Sequence, residues 1–119
     1  MNLNEPLFVT ELSVTSVQVS EENSTICAEG SAGKYGKVFV TYVLDSAGDR
    51  SGGTYHGSVR TFPDGDSMIS AALRGIWRRE GAKVQIFSLD HASNGDQNFA
   101  VIELDILAKQ VSASVFSLN

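Results

Sequence analysis

Apolar and polar residues alternate with a period of two along much of this chain, which is the pattern of strands that bury one face. Such stretches occur, in chain order, at residues 8–20, 25–30, 38–44, 54–62 and 110–118. Residues 38–44 are apolar at nearly every position, so we expect this strand to be central in its sheet or covered on both faces. Within 8–20 the apolar positions change parity, which predicts a β-bulge near Thr15 and Ser16.

Residues 67–80, SMISAALRGIWRRE, fit two interpretations. As a helix, they place Ile69, Leu73 and Trp77 on one stripe, although Gly75 in the helix interior would cost about 1 kcal/mol. As a strand, they place the same three side chains and Gly75 on one face. The choice decides the fold class.

The turn residues favour the strand. Pro63-Asp64-Gly65 suits a three-residue hairpin loop, and Glu80-Gly81 suits a two-residue turn. A five-residue loop at 93–97 is chosen because it continues the same ladder. In this register, apolar residues lie opposite apolar residues on neighbouring strands. The pairs are Tyr55 with Leu73, Trp77 with Val84, and Ile86 with Leu104.

The sequence therefore predicts an all-β protein with a single domain, residues 1–119. Its architecture would be an antiparallel up-and-down meander of about eight strands. Closure into a barrel is expected because it removes exposed sheet edges. A β-sandwich, or an α+β roll with a helix at 67–80, remains as an alternative.

The LRGIW segment, with a glycine two residues before the tryptophan and a glycine-containing turn after it, resembles small barrels of the allene-oxide-cyclase-like and calycin type. The resemblance covers roughly residues 54–108. It implies a ligand cavity, which many members of that fold group have, and it implies no particular chemistry. It identifies no site residue.

The predicted register puts one carboxylate on the inner face. Asp90 would lie in a row of small residues with Gly57, Ala71 and Ala100, which leaves room beside it. A carboxyl group in an apolar cavity has a raised pKa, as a general acid or base requires, so Asp90 is the candidate catalytic residue. The alternative places Asp90 at the wet rim of the barrel, where it would cap the 93–97 loop.

Three functions are open at this point. The first is binding of an apolar or amphipathic small molecule, with Trp77, Tyr55, Ser88 and Asp90 as ligand-binding residues. The second is an isomerase- or cyclase-like enzyme in which Asp90 or His91 moves a proton. The third is a non-catalytic dimeric structural or interaction protein, whose barrel is packed solid with side chains.

The outer face is unusually apolar for a surface in contact with water. It carries Phe87, Leu89, Phe99 and Val101, and a patch of this kind marks a partner surface. A homodimer interface is the expected explanation. Burial beneath the N-terminal segment or a helix, and a site that uses His56 and His91, are the alternatives.

Composition and motifs further limit the kinds of molecule that the protein is expected to bind. The net charge of -5 argues against a nucleic-acid binder, which needs a basic face. Cys27 is the single cysteine, so no intrachain disulfide forms. Two histidines without clustered cysteines or carboxylates predict no metal site, and no motif indicates a cofactor. The chain has no apolar run long enough to span a membrane and no basic, apolar leader, so we expect a cytoplasmic protein.

Overall fold

A computed structural model describes residues 3–46 and 50–119, and within these ranges the protein is built from strands without an α-helix. A 3-10 helix, Gly33–Tyr35, lies between the second and third strands. The strands are β1 Phe8–Val19, β2 Asn23–Ser31, β3 Lys37–Asp45, β4 Gly52–Phe62, β5 Ile69–Glu80, β6 Lys83–Ala92, β7 Gln97–Asp105 and β8 Gln110–Ser117.

The eight strands form a closed barrel in which each strand pairs antiparallel with the next one along the chain. β8 closes the barrel against β1. The predicted all-β meander and its closure are therefore confirmed, and the β-sandwich alternative is wrong. The helix at 67–80 is also wrong, because β5 occupies Ile69–Glu80 and alternates inner and outer side chains along its length.

The strand pairing differs from the predicted register by two residues at each hairpin. Tyr55 lies opposite Gly75, Trp77 opposite Ile86, and Ile86 opposite Ile102. Since side chains alternate with a period of two, a shift of two leaves every side chain on its predicted face. The inner face was thus predicted correctly, although the partners across it were not.

The turns explain the shift. Gly81 has φ +61° and occupies the first central position of the β5–β6 turn, so Glu80 pairs with Lys83 rather than taking part in the turn itself. The β4–β5 connection is longer than three residues, because the Asp64 carboxylate accepts backbone hydrogen bonds from Asp66 at 2.9 Å and Ser67 at 2.7 Å. This Asx-type loop holds residues 63–68 outside the ladder.

Two further expectations concern β1 and β3. The register of β1 against β2 shifts between Val14 and Ser16, which confirms the predicted bulge. Residues 38–44 do form a central strand, since β3 pairs with β2 on one side and with β4 on the other. The alternative, that both faces are covered, is wrong: Val38, Val40 and Tyr42 are buried on the inner face, whereas Phe39 on the outer face is 44% exposed. A closed barrel of antiparallel strands buries only its inner face, and nothing within the described ranges covers the outside of β3.

The interior differs between the two ends of the barrel. We call the end where β1 begins, and where segments 32–36, 63–68 and 93–96 lie, the upper end. The opposite, lower end is filled by large side chains, among them Trp77, Tyr55 and Leu104, all of which are buried. The indole Nε1 of Trp77 donates a hydrogen bond of 3.0 Å to the backbone oxygen of Asp45, which fixes the ring across that end.

Candidate ligand cavity

A cavity of about 100 Å³ occupies the upper half of the barrel. It exists because short side chains from five separate segments meet in the upper half, whereas large side chains fill the lower half. These are Ala32, Ala71, Ala92, Ala100 and Ala113. The volume is well above the roughly 10–15 Å³ that one water molecule needs, and it approaches the roughly 150 Å³ of an apolar cavity that binds benzene.

Asp90 is the carboxylate of this cavity. It points inward from β6 between Leu73 on β5 and Asn98 on β7, and it lines the cavity wall. The predicted row of Gly57, Ala71, Asp90 and Ala100 is therefore wrong by the two-residue shift. Burial raises the pKa of Asp90 to about 6, and a hydrogen bond from Ser88 opposes that shift only in part.

A short chain of hydroxyl groups holds Asp90 from below. Ser88 Oγ donates to Asp90 Oδ1 at 2.6 Å, and Tyr55 Oη lies 3.0 Å from Ser88 Oγ. Because the single Ser88 hydrogen points to the carboxylate, Tyr55 acts as the donor in the second bond. Burial also raises the pKa of the Tyr55 phenol, so this donor keeps its proton.

Tyr42 contributes a second polar group to the cavity wall, and it was missed in the sequence. Its side chain is only 3% exposed, and its hydroxyl has no hydrogen-bond partner among the described residues. Every fully enclosed polar side-chain atom of the described residues does have a partner, so the Tyr42 hydroxyl must border the cavity space. Burial, with a smaller contribution from the charge of Asp90, raises the Tyr42 pKa.

Tyr35 closes part of the upper end. It lies in the 3-10 helix, and its hydroxyl donates to Asp96 Oδ2 at 2.6 Å and accepts from Asn98 Nδ2 at 3.0 Å. Lys34 Nζ adds an ion pair of 3.2 Å to the same Asp96 oxygen, and the Phe8 ring meets the Tyr35 ring edge-on at 5.9 Å. These contacts join the 32–36 segment to β7 across the barrel.

The structure brings together three of the four residues predicted to bind a ligand. Asp90 lines the cavity. Ser88 and Tyr55 lie directly beneath the cavity, where Ser88 donates a hydrogen bond to Asp90 and Tyr55 is hydrogen-bonded to Ser88. Trp77 lies at the lower end and does not line the cavity. The binding role of all four stays a prediction, as does catalysis by Asp90.

The two histidines take no part in this cavity. His56 lies on the outer face of β4, with its Nδ1 3.3 Å from Asp45 Oδ2, and His91 lies on the outer face of β6 beside Gln97. Within residues 3–46 and 50–119 no three His, Cys, Asp or Glu side chains form a group that could hold a metal.

The outer patch also survives the change in register. Phe87 lies between Ile76 and Val101, and Leu89 lies between Arg74 and Phe99. The four predicted interface residues therefore adjoin one another on the outer face, in the pairs Phe87–Val101 and Leu89–Phe99. Leu89 is 58% exposed, so the patch borders solvent in the single chain.

Comparison of this chain with protein-family models, with curated proteins and with solved structures finds no match. The resemblance to allene-oxide-cyclase-like and calycin barrels therefore stays a prediction. In the described part of the chain, no helix has the length and apolar character needed to cross a membrane. The cytoplasmic location stays a prediction as well. Fold and site together define an eight-stranded barrel with a cavity at one end.

Proposed function

We propose that this protein binds an apolar or amphipathic small molecule in the upper cavity. The observation that carries the proposal is a cavity of about 100 Å³ with a mostly apolar lining and two polar groups free to bind, the Asp90 carboxyl and the Tyr42 hydroxyl. Ligand sites commonly combine an apolar wall with a few polar groups that fix orientation. A cavity of this size costs about 2 kcal/mol of stability, at roughly 24 cal/mol per Å³, and a ligand would offset that cost.

The size limits the ligand. A molecule of about six non-hydrogen atoms, on the order of a benzene ring, is the largest that this volume would hold, and a substituent on it would extend toward the upper end of the barrel. Its apolar body would contact the alanine-rich wall, and one polar substituent would reach Asp90 or Tyr42. Trp77 is too far down the barrel to contribute, so we place the site around Asp90, Tyr42 and the alanines.

Two neighbouring alanines on β5 offer a matched test. Ala71 lines the cavity, whereas Ala72 is exposed on the outer face. We expect Ala71→Leu to weaken binding of 4-fluorotoluene, followed by fluorine NMR, at least tenfold, because the new side chain fills the cavity. Ala72→Leu should leave it unchanged. Equal binding by Ala71→Leu would overturn the proposal, as would failure of the unmodified protein to bind both this probe and the two polar probes described below.

A second function is favoured by the pKa of Asp90. A carboxyl group with a pKa of about 6 can both accept and donate a proton near neutral pH, as an isomerase or cyclase would require. Native mass spectrometry of freshly purified protein would recover a bound molecule as a substrate candidate. Asp90→Asn should then abolish its turnover and retain its binding, and turnover at the unmodified rate would exclude this role.

We also propose that a second copy of the chain covers the outer patch, defined as Phe87, Leu89, Phe99 and Val101. Besides its apolar character, the patch has a charge pattern that suits a twofold axis. Arg74 and Arg78 border it on β5, and Glu103 borders it on β7. A twofold axis that runs parallel to the strands would place the basic β5 edge of each copy against the acidic β7 edge of the other.

Light scattering tests this dimer. Leu89→Lys should convert a dimer to a monomer, because it puts a charge into the centre of the apolar interface. Val19→Lys is the control, since Val19 is 75% exposed and lies on β1, away from the patch. A monomeric unmodified protein, or an unchanged mass of the Leu89→Lys variant, would refute the dimer.

A further inference from the structure

The charge of Asp90 has no counter-ion within the cavity. Among the described residues that line the cavity there is no lysine, arginine or histidine. Arg74 is the nearest basic residue along β5, but it lies on the outer face, where its guanidinium donates to the Leu73 carbonyl at 2.8 Å. Lys34, at the upper end, is already paired with Asp96.

An ionised carboxylate in this position is poorly compensated. Ser88 supplies one hydrogen bond to Oδ1, and Oδ2 has no partner among the residues the structure describes. Burying a charge is costly unless it is paired as well as hydrogen-bonded. The half-buried carboxyl therefore depends on a proton, on water within the cavity or on a cation from outside the chain, and of these a cation compensates the charge of the carboxylate most directly.

Aromatic rings surround the same space. Phe8, Tyr35 and Tyr42 all line the cavity, and they come from three different segments of the barrel. The face of an aromatic ring attracts a cation, and the attraction is strongest where water is excluded. The Tyr42 hydroxyl, which has no partner, can accept a hydrogen bond from an N–H group.

We infer that the ligand of this cavity is a small organic ammonium ion, with Asp90 as its counter-ion and with Tyr42 and Phe8 in the same cavity wall; the Tyr35 ring already faces Lys34 Nζ at 5.3 Å. This inference rests on the proposed binding function and specifies the chemical class of the ligand. The apolar remainder of such a molecule would occupy the alanine-rich part of the cavity. The net charge of -5 adds a long-range attraction for cations.

A pair of nearly isosteric probes separates charge from shape. 4-Fluorobenzylamine is protonated at pH 7.5, whereas 4-fluorobenzyl alcohol is neutral and of similar size. Fluorine NMR titrations in phosphate buffer, which contains no competing amine, should give at least tenfold tighter binding of the amine. Asp90→Asn should reduce amine binding to the level of the alcohol and leave alcohol binding unchanged.

A second measurement reports on Asp90 directly. Titration followed by carbon NMR of the carboxyl group should show that saturating amine lowers the pKa of Asp90 from about 6, because the cation stabilises the carboxylate. The titratable groups facing Asp90 are Tyr42, Tyr55 and Tyr35, and all three stay protonated through that range because burial raises their pKa.

The possible results keep the two proposals apart. Equal affinity for amine and alcohol, or an unchanged pKa of Asp90 on saturation with amine, would overturn the ammonium inference and leave the binding function standing. Failure of both probes and of 4-fluorotoluene to bind would overturn the binding function itself.

Discussion

Replacing Asp90 by asparagine should stabilise the folded protein, and the gain should grow as the pH rises. The substitution keeps the shape of the side chain and its acceptor for the Ser88 hydroxyl, while it removes a charge that the fold accommodates poorly. The expected effect has a definite sign, because burial raises the pKa of Asp90 from 3.8 to about 6. Between these two values the folded state holds a proton that the unfolded state has released.

The free energy of unfolding must therefore fall as the pH rises through this range, since the folded state binds more protons. A shift of about two pKa units corresponds to about 3 kcal/mol at 1.36 kcal/mol per unit. About 1 kcal/mol of this loss is present at pH 4.5, and about 2 kcal/mol more develops between pH 4.5 and 7.5. Asp90→Asn does not lose stability in this way. The difference in the free energy of unfolding between the variant and the unmodified protein should therefore increase by about 2 kcal/mol over that range.

Urea unfolding at pH 4.5 and 7.5, in an amine-free buffer, measures this difference. Glu11→Gln is the matched control, because Glu11 is exposed on β1, away from both the cavity and the outer patch, and its neutralisation should alter stability little at either pH. A stability difference between Asp90→Asn and the unmodified protein that is the same at both pH values would refute the reasoning. In that case the carboxyl would have to be as well solvated as it is in the unfolded chain.

Four further substitutions test the packing of the barrel and the polar groups at its cavity, the first three by thermal and urea unfolding. Gly75→Ala should cost about 3 kcal/mol or more, because a Cβ there would overlap a backbone carbonyl of β6, whereas Gly81→Ala has open space and should cost about 1–2 kcal/mol for its positive φ alone. Tyr35→Phe should cost about 1–3 kcal/mol, since two hydrogen bonds at the upper end are lost, and an unchanged melting temperature would contradict that role. Ser88→Ala should raise the Asp90 pKa further, because it removes the hydrogen bond that lowers it, and carboxyl carbon NMR measures the change.

The inner-facing residues of β4 to β7 were predictable because they depend only on the alternation of apolar and polar residues along each strand. Tyr55, Leu73 and Ile86 were assigned to the interior from an alternating pattern, and any even error in register leaves that assignment intact. The error itself arose at the turns. The sequence shows a glycine at 81, but whether Glu80 before it or Ala82 after it completes the two-residue turn depends on backbone torsions that only the folded hairpin reveals.

The polar residues of the cavity differ in how readily they could be predicted from the sequence. Asp90 could be identified because a carboxylate at an inner position of an apolar strand departs from the pattern. Tyr42 could not, because a tyrosine in the apolar run 38–44 resembles any other core residue. Its role follows from an unpaired hydroxyl, which is a property of the assembled interior. Tyr35 lies in a glycine-rich turn whose contact with Asp96 spans 61 positions of sequence.

Height along the barrel axis is what the sequence did not provide, and it decides which inner residues form the site. Each tight turn fixes the height of one strand relative to the next, so an error of two residues at one hairpin carries into the strands that follow. The cavity lies where Ala71 and Ala100 of the central meander reach the level of Ala113 on β8, and β8 is set by its pairing with β1, to which no turn connects it. Trp77 points into the barrel, as Asp90 does, but it lies at the opposite end. The alternation of inner and outer residues does not give the position along the barrel axis, and for this reason Trp77 was predicted to be in the binding site. Closing the barrel fixes the relative heights of all eight strands together, and only then do the small side chains coincide beside Asp90 and Tyr42.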